Sequence, residues 1–443
     1  MASAAEQLAA NLNFSALAKA DELKKRIWFT LGALVVYRLG TYIPLPGIDP
    51  SVWSQVFRQQ AGGILGMFNM FSGGGIDRMA IFALNIMPYI SAAIILQLLQ
   101  SVSPKLEALK KEGEAGRKVI NQYTRYLTLV LAALQAYGIA IGLQGAGNVV
   151  SQPGPFFLLS TTITLTGGTM FLMWVGEQIT ARGIGNGISL IIMAGIVAEL
   201  PSAIVGTLEL GRQGALSTGL ILGILVMAVA VIGIIVFVER AQRRLLIQYP
   251  KRQLGNKMFE GQSSHLPLKL NTSGVIPPIF ASSLLLLPGT VANFNAGAGP
   301  EWFQWLTTQL SHGRPAYLVL YVGMIVFFTF FYTAVVFNPT ETADNLKKHG
   351  GFIPGIRPGE RTAEYIDYVL SRITVVGAIY LALICLVPEI LISYASVPFY
   401  FGGTSLLIVV SVTMDTVAQV QGYLLAHQYE GLIRKSKGKG RRR

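Results

Sequence analysis

One cysteine, four histidines and a charged fraction of only 13% set the first limits on this 443-residue chain. A single thiol, Cys385 inside an apolar run, leaves no role for a disulfide framework or a thiolate metal site. The charged fraction is roughly half the 25% usual for a soluble domain, so a water-facing surface of ordinary extent is excluded. No GxxxxGK[ST] phosphate loop and no HExxH pair is present, and His265, His312, His349 and His427 all avoid the middle of the apolar runs. Gly183-Ile184-Gly185-Asn186-Gly187 has the look of a dinucleotide loop, but no soluble strand precedes it and a hydrophobic helix follows. It reads as a tight turn that brings two helices close. Catalytic residues, metals and cofactors are therefore not expected, and the chain reads as no enzyme. Residues 1–26 lack an unbroken apolar segment and end in Lys24-Lys25-Arg26, so a cleaved leader is not expected either.

What the chain has in quantity is hydrophobic sequence, 52% of it. A helix needs about 20 mostly apolar residues to cross a bilayer. Ten segments qualify, starting near Ile27, Ile76, Asn121, Pro155, Gly183, Thr218, Ser273, Ala316, Arg372 and Gly403. An even count puts both termini on one side. Of the 35 Lys and Arg residues, 30 fall in or beside the tails and the even-numbered loops, and 4 in the odd-numbered loops. The positive-inside rule then makes both termini cytoplasmic. The net charge of +13 follows from retention beside anionic lipids, with no nucleic acid required.

Ten spans divide into a first half, 27–205, and a second, 206–426, between an N-terminal segment, 1–26, and a basic tail, 427–443. Five spans is an odd number, so a repeat would be inverted across the membrane. Two sites support one: Pro88 precedes Ile90 and Pro277 precedes Ile279, each two residues ahead in the second span of its half. Paired proline interruptions point to a shared site between halves. A secondary transporter is built the same way and is the alternative reading, although it should carry charge at mid-membrane. Here Arg38 reads as a snorkelling end residue, and Asp415, with Gln419 one turn on, as a structural, hydrogen-bonded carboxylate.

Two loops on the basic side are longer than a connection requires. Residues 239–270 suggest a projecting hairpin. Within 338–372, Pro354-Gly355-Ile356-Arg357-Pro358-Gly359 sets one arginine between two proline-glycine turns, which reads as a rigid docking tip for an acidic or RNA-bearing partner.

Five segments, MPYISAAIILQLL (87–99), EQITARGIGNGISLII (177–192), HLPLKLN (265–271), GIRPGERTAEYID (355–367) and YFGGTSLLIVV (400–410), closely resemble bacterial SecY, the channel subunit of the Sec protein translocase. The likeness runs from about residue 20 to 430. It implies an all-α membrane protein of ten transmembrane helices in two inverted pseudo-symmetric halves, opening sideways between spans two and seven. It also implies a protein-conducting channel of the bacterial inner membrane that passes unfolded polypeptides and releases apolar segments into lipid. The family's apolar pore ring falls on Ile86, Ile90, Ile188, Ile192, Ile279 and Ile408. Ser91, Gln97, Asn271 and Ser282 fall on the lateral gate, where signal sequences would intercalate. Arg244, Lys251 and Arg357 take docking positions toward the SecA motor and the ribosome, and SecE and SecG are the implied membrane partners.

Residues 62–75, too short to span, take the family's plug position. Ile64, Leu65, Met67, Phe68, Met70 and Phe71 would pack beneath the ring, and Gly73, Gly74 and Gly75 would supply a hinge.

Overall fold

A computed structural model describes residues 20–60, 69–145, 149–214, 217–249, 252–254, 257–259, 263–294, 309, 314–395 and 403–440. In chain order the helices of the first half are α1 (Asp21–Gly40), α2 (Pro50–Gln60), α3 (Met87–Val102), α4 (Pro104–Lys111), α5 (Glu114–Gly145), α6 (Pro155–Arg182) and α7 (Gly187–Arg212). Then come α8 (Thr218–Arg240), strands β1 (Gln242–Gln248), β2 (Arg252–Leu254), β3 (Lys257–Phe259) and β4 (Ser263–Lys269), and helices α9 (Ile276–Phe294), α10 (Pro315–Val336), α11 (Pro339–Lys348), α12 (Glu360–Ala395) and α13 (Gly403–Gly440). Proline starts α4, α6 and α10, where its missing N–H is no loss. Asn186 caps α7, its Oδ1 accepting from Ile188 N and Ser189 N, and Asn338 caps α11 in the same way.

Among the described residues, seven helices, α5, α6, α7, α8, α10, α12 and α13, contain stretches long and apolar enough to cross a membrane. The other three expected spans are α1 and the shorter apolar helices α3 and α9. On α8, the side chains of Leu222, Leu225, Val226, Val229 and Phe237 are 60–75% exposed. Each would gain about 1.5–3 kcal/mol by leaving water, which only a hydrocarbon surround or a partner helix supplies. The chain is a multi-pass membrane protein.

The second span departs from expectation. Helix was expected from about Ile76, but α3 begins at Met87, and residues 73–86 form successive turns in which Met79 and Asn85 take positive φ. Side chains hold these turns: Asn69 Oδ1 accepts from Asp77 N at 2.8 Å, and Ser72 Oγ accepts from Ile76 N at 3.3 Å. Pro88 and Pro277 accordingly do not kink spanning helices. Each is the second residue of its helix and marks where it starts.

Helices α3, α5, α6 and α7 pack in succession, as do α9, α10, α12 and α13. The two rows meet where α9 lies against α3 and α5, and again where α7 lies against α8 and α13. The face carrying the β-hairpin is the hairpin face. There the turn 183–187 joins the rows: Ile184 N donates to Thr30 Oγ1 on α1, and Gly185 N donates to Gln419 Oε1 on α13. A Cβ on Gly187 would strike the carbonyl of Gly176, so the turn does bring α6 and α7 close. On the opposite face, Trp53 and Phe57 of α2 pack with Leu45, Ile76, Met79, Leu143 and Phe157 in a separate cap, and Trp53 Nε1 donates to Ile76 O.

Candidate pore and its closures

Between the rows lies one continuous buried cluster. It contains Ile86 at the N-cap of α3, Ile90 one turn on, Ile192 in α7, Ile279 in the first turn of α9 and Ile408 in α13. Ile188 packs at its edge, half-buried. Four helices that are distant in sequence thus contribute six isoleucines to one apolar patch. Met70 and Phe71 belong to the same cluster, 7% and 2% exposed, and Ser405 Oγ at the start of α13 donates to Met70 Sδ at 3.1 Å. Ile64, Leu65, Met67 and Phe68 lie outside the described residues.

The short helical segment ending at Ser72 is terminated by a glycine turn. Gly73 takes φ +64°, its N–H donates to Met70 O, and the N–H of Gly74 (φ +80°) reaches back to Asn69 O. These two bonds form a Schellman cap, which needs a residue able to adopt a left-handed conformation. The glycines expected to form a hinge are here a capped turn, in which Gly75 has an ordinary φ. Gly73 must also be small, because a Cβ there would lie 2.8 Å from Gly195 Cα in α7.

The cap leaves three successive carbonyls without helical partners, and three side chains take them. Asn85 Nδ2 donates to Phe71 O, Tyr37 Oη donates to Ser72 O at 3.2 Å, and Arg38 Nη1 donates to Gly73 O at 2.8 Å. Arg38 is thus bound to the segment and does not simply snorkel. Its place near the end of a span was legible, but its partner, 35 residues away, was not. Tyr37, Asn85, Gly195 and Ser405 went unnoticed in the sequence for the same reason, since nothing local marks them.

Along the α3–α9 contact, Ser91 is buried, and Ser282 Oγ donates to Ile279 O within its own helix at 3.0 Å. Asn271, placed at the lateral gate by the family resemblance, bonds away from α3: Nδ2 donates to Glu239 Oε1 on α8 at 2.7 Å and to Gly274 O, while Oδ1 accepts from Ser273 Oγ. Its amide is thus engaged between α8 and its own loop. Gln97 Oε1 on α3 is buried with no hydrogen-bond partner among the described residues. Asp415 is exposed and has no hydrogen bond among the described residues, so the structural role expected of it falls to Gln419, whose bond from Gly185 N ties the turn to α13.

On the hairpin face, β1 pairs antiparallel with β4 from Gln242↔Lys269 to Gln248↔Ser263. Arg244 stands exposed on β1, Arg357 is exposed on its turn, and Lys251 lies outside the described residues. Gly355 (φ +81°) and Gly359 (φ +109°) shape that turn, and Arg357 O accepts from Thr362 Oγ1. The two long loops form one unit. Gln248 and Phe352 exchange backbone bonds of 2.9 and 3.0 Å, and Leu245, Leu268, Ile353, Ile366 and Ile373 share a core. Both arginines therefore stand on a surface with its own hydrophobic interior.

The SecY family model matches residues 80–417. The chain is 58% identical over 431 residues to the protein translocase subunit SecY of Vibrio cholerae, covering 96% of this chain and 97% of that one. It is 56% identical over 423 residues to the subunit of Escherichia coli K12, covering 95% and 96%. Among solved structures, one described as a protein-conducting channel superposes with a TM-score of 0.62 at 17% identity, over 90% of this chain and 92% of that one. The Sec61 of a canine ribosome-channel complex gives 0.59 at 16% identity, over the same shares. At such identities the likeness is one of fold. Neither these matches nor the aliphatic interior supports the secondary transporter. On the family match and on relatives more than half identical over nearly the whole length, the chain belongs to the SecY family.

Proposed function

We propose that the protein is the channel of a bacterial translocase, conducting unfolded secretory polypeptides across the inner membrane and releasing apolar segments sideways between α3 and α9. In the resting state Ile86, Ile90, Ile188, Ile192, Ile279 and Ile408 form the constriction, and the segment ending at Ser72 is the plug beneath it. The observation that carries this reading is the presence of Met70 and Phe71 in the same buried cluster as the isoleucines. A narrow hydrocarbon collar resists wetting and blocks ions, yet its side chains separate around a passing chain. No bond-making chemistry is required, so the channel is passive.

With both termini in the cytoplasm, as the distribution of basic residues favours, the hairpin face is cytoplasmic and the cap containing α2 is outside. Arg244 and Arg357 are then docking positions for the SecA motor or the ribosome, which would supply the drive. SecE and SecG would cover part of the exposed apolar surface. Photocrosslinkers placed along α3 and α9 test the path: a stalled secretory chain should label inward positions on both helices, and labelling confined to other helices would exclude a gate between them.

A further inference from the structure

We propose that Arg38, assisted by Tyr37 and Asn85, is the positioning residue that latches the plug shut; this rests on the reading of residues 69–75 as part of the plug. A helix ends with carbonyls that have no partner, and the C-terminal end carries partial negative charge. Here those of Phe71, Ser72 and Gly73 are each met by a different donor, and all three donors belong to neighbouring elements: two to α1, one to the turn before α3. Moving the plug breaks all three bonds together.

Arg38 stands apart from the other two because it is charged. Charge-assisted bonds are about twice as strong as neutral ones. Its aim is fixed by a second bond, Nη2 to Tyr42 Oη at 3.2 Å, with the guanidinium 5.3 Å from the centre of the Tyr42 ring. It forms no ion pair with a carboxylate among the described residues, so its directed charge is spent on the carbonyl of Gly73, and that interaction exists only while the segment is seated. Opposite the latch, Gly195 offers a bare backbone surface against which Gly73 fits. Helix α1 is itself held to the 183–187 turn through Thr30, so the donors stand on a frame that need not move with the plug.

The test uses the translocase reconstituted in planar bilayers without substrate. Arg38→Gln should raise the resting ion leak by roughly tenfold or more, from the loss of one hydrogen bond to a charged group. Tyr37→Phe should raise it only a few-fold, and Arg38→Lys, which keeps the charge but not the forked aim, should fall between wild type and Arg38→Gln. Met70→Cys with Ser405→Cys, joined by a short bis-maleimide, should then abolish the Arg38→Gln leak by fixing the plug. An unchanged leak in Arg38→Gln overturns the latch, and so does a leak that survives the crosslink, because its source would lie elsewhere. If the crosslinked channel with Arg38 intact still translocates at the normal rate, the plug reading itself has failed and the latch falls with it.

Discussion

Gly195→Ala separates the stability of the plug from that of the protein. A Cβ on Gly195 would lie 2.9 Å from Phe71 O, 2.9 Å from Tyr37 Oη and 3.3 Å from Gly73 N. Real Cβ atoms do not tolerate the first two distances, and neither neighbour is the free end of a flexible chain. Overpacking of this kind costs about 1–3 kcal/mol; the contacts with Phe71 O and Gly73 N arise only while the plug is seated, because those atoms belong to it, whereas the contact with Tyr37 Oη on α1 is common to both states and does not enter their ratio. At about 1.4 kcal/mol per factor of ten, the ratio of displaced to seated plug should rise by roughly 5- to 150-fold. The same substitution removes a glycine from the interior of α7, a gain of about 0.5–1 kcal/mol in helix stability. Resting conductance should therefore rise while the thermal midpoint of the purified complex stays level or increases. Gly195→Val should leak more than Gly195→Ala. A Gly195→Ala channel as tight as wild type, or one whose leak appears only with a fall in midpoint, would refute the argument.

Ile90→Ser and Ile279→Ser each replace a branched four-carbon collar side chain with a small hydroxymethyl group that water can solvate, and should raise ion leak in bilayers even with the plug seated; unchanged conductance would remove both from the collar. Gln97→Leu removes a buried oxygen without a partner and should stabilise the closed gate by about 1–3 kcal/mol, slowing translocation of a weak signal sequence in vesicles, whereas faster transport would contradict the assignment. Arg357→Glu reverses an exposed charge and should slow partner association by roughly tenfold at low salt, measured as motor-driven import into inverted vesicles, with membrane insertion of the subunit intact; normal import would reject the docking role.

Most of the spans were legible because hydropathy is a local, additive property of a chain. The hairpin was legible for a similar reason, since alternation along β1 and β4 follows from which face meets Ile353 and Ile366. The turns between Gly73 and Met87 were not. Their sequence is apolar enough for a helix, and what prevents it is a set of bonds from Asn69 and Ser72 to backbone groups that only the folded arrangement presents. Pro88 and Pro277 were found, but proline reads as a kink or as a start depending on where the helix around it begins, and that is decided by the preceding turns. The isoleucines were identifiable only through resemblance to the family. Nothing in an isoleucine's chemistry distinguishes a pore collar from a core, and six of them converge only through helix packing. Arg38 carried a visible signal, an ionisable group in a span, but its acceptor is a backbone carbonyl, which no side-chain pattern can announce.

The ribbon of β1 and β4 runs directly out of α8 and back toward α9, with seven paired residues on each strand. At about 3.3 Å per residue it is some 23 Å long. Its base is pinned where Asn271 holds Glu239, and its flank is fastened to Phe352 and, through the shared core, to α12. Three membrane helices therefore have one common handle outside the bilayer, so the start of α9 and the isoleucine it carries have few independent degrees of freedom at that end. If α3 and α9 separate as proposed, the handle would turn with α9. Torque applied at the Arg357 tip would act on the collar at a distance, with the ribbon as its lever arm.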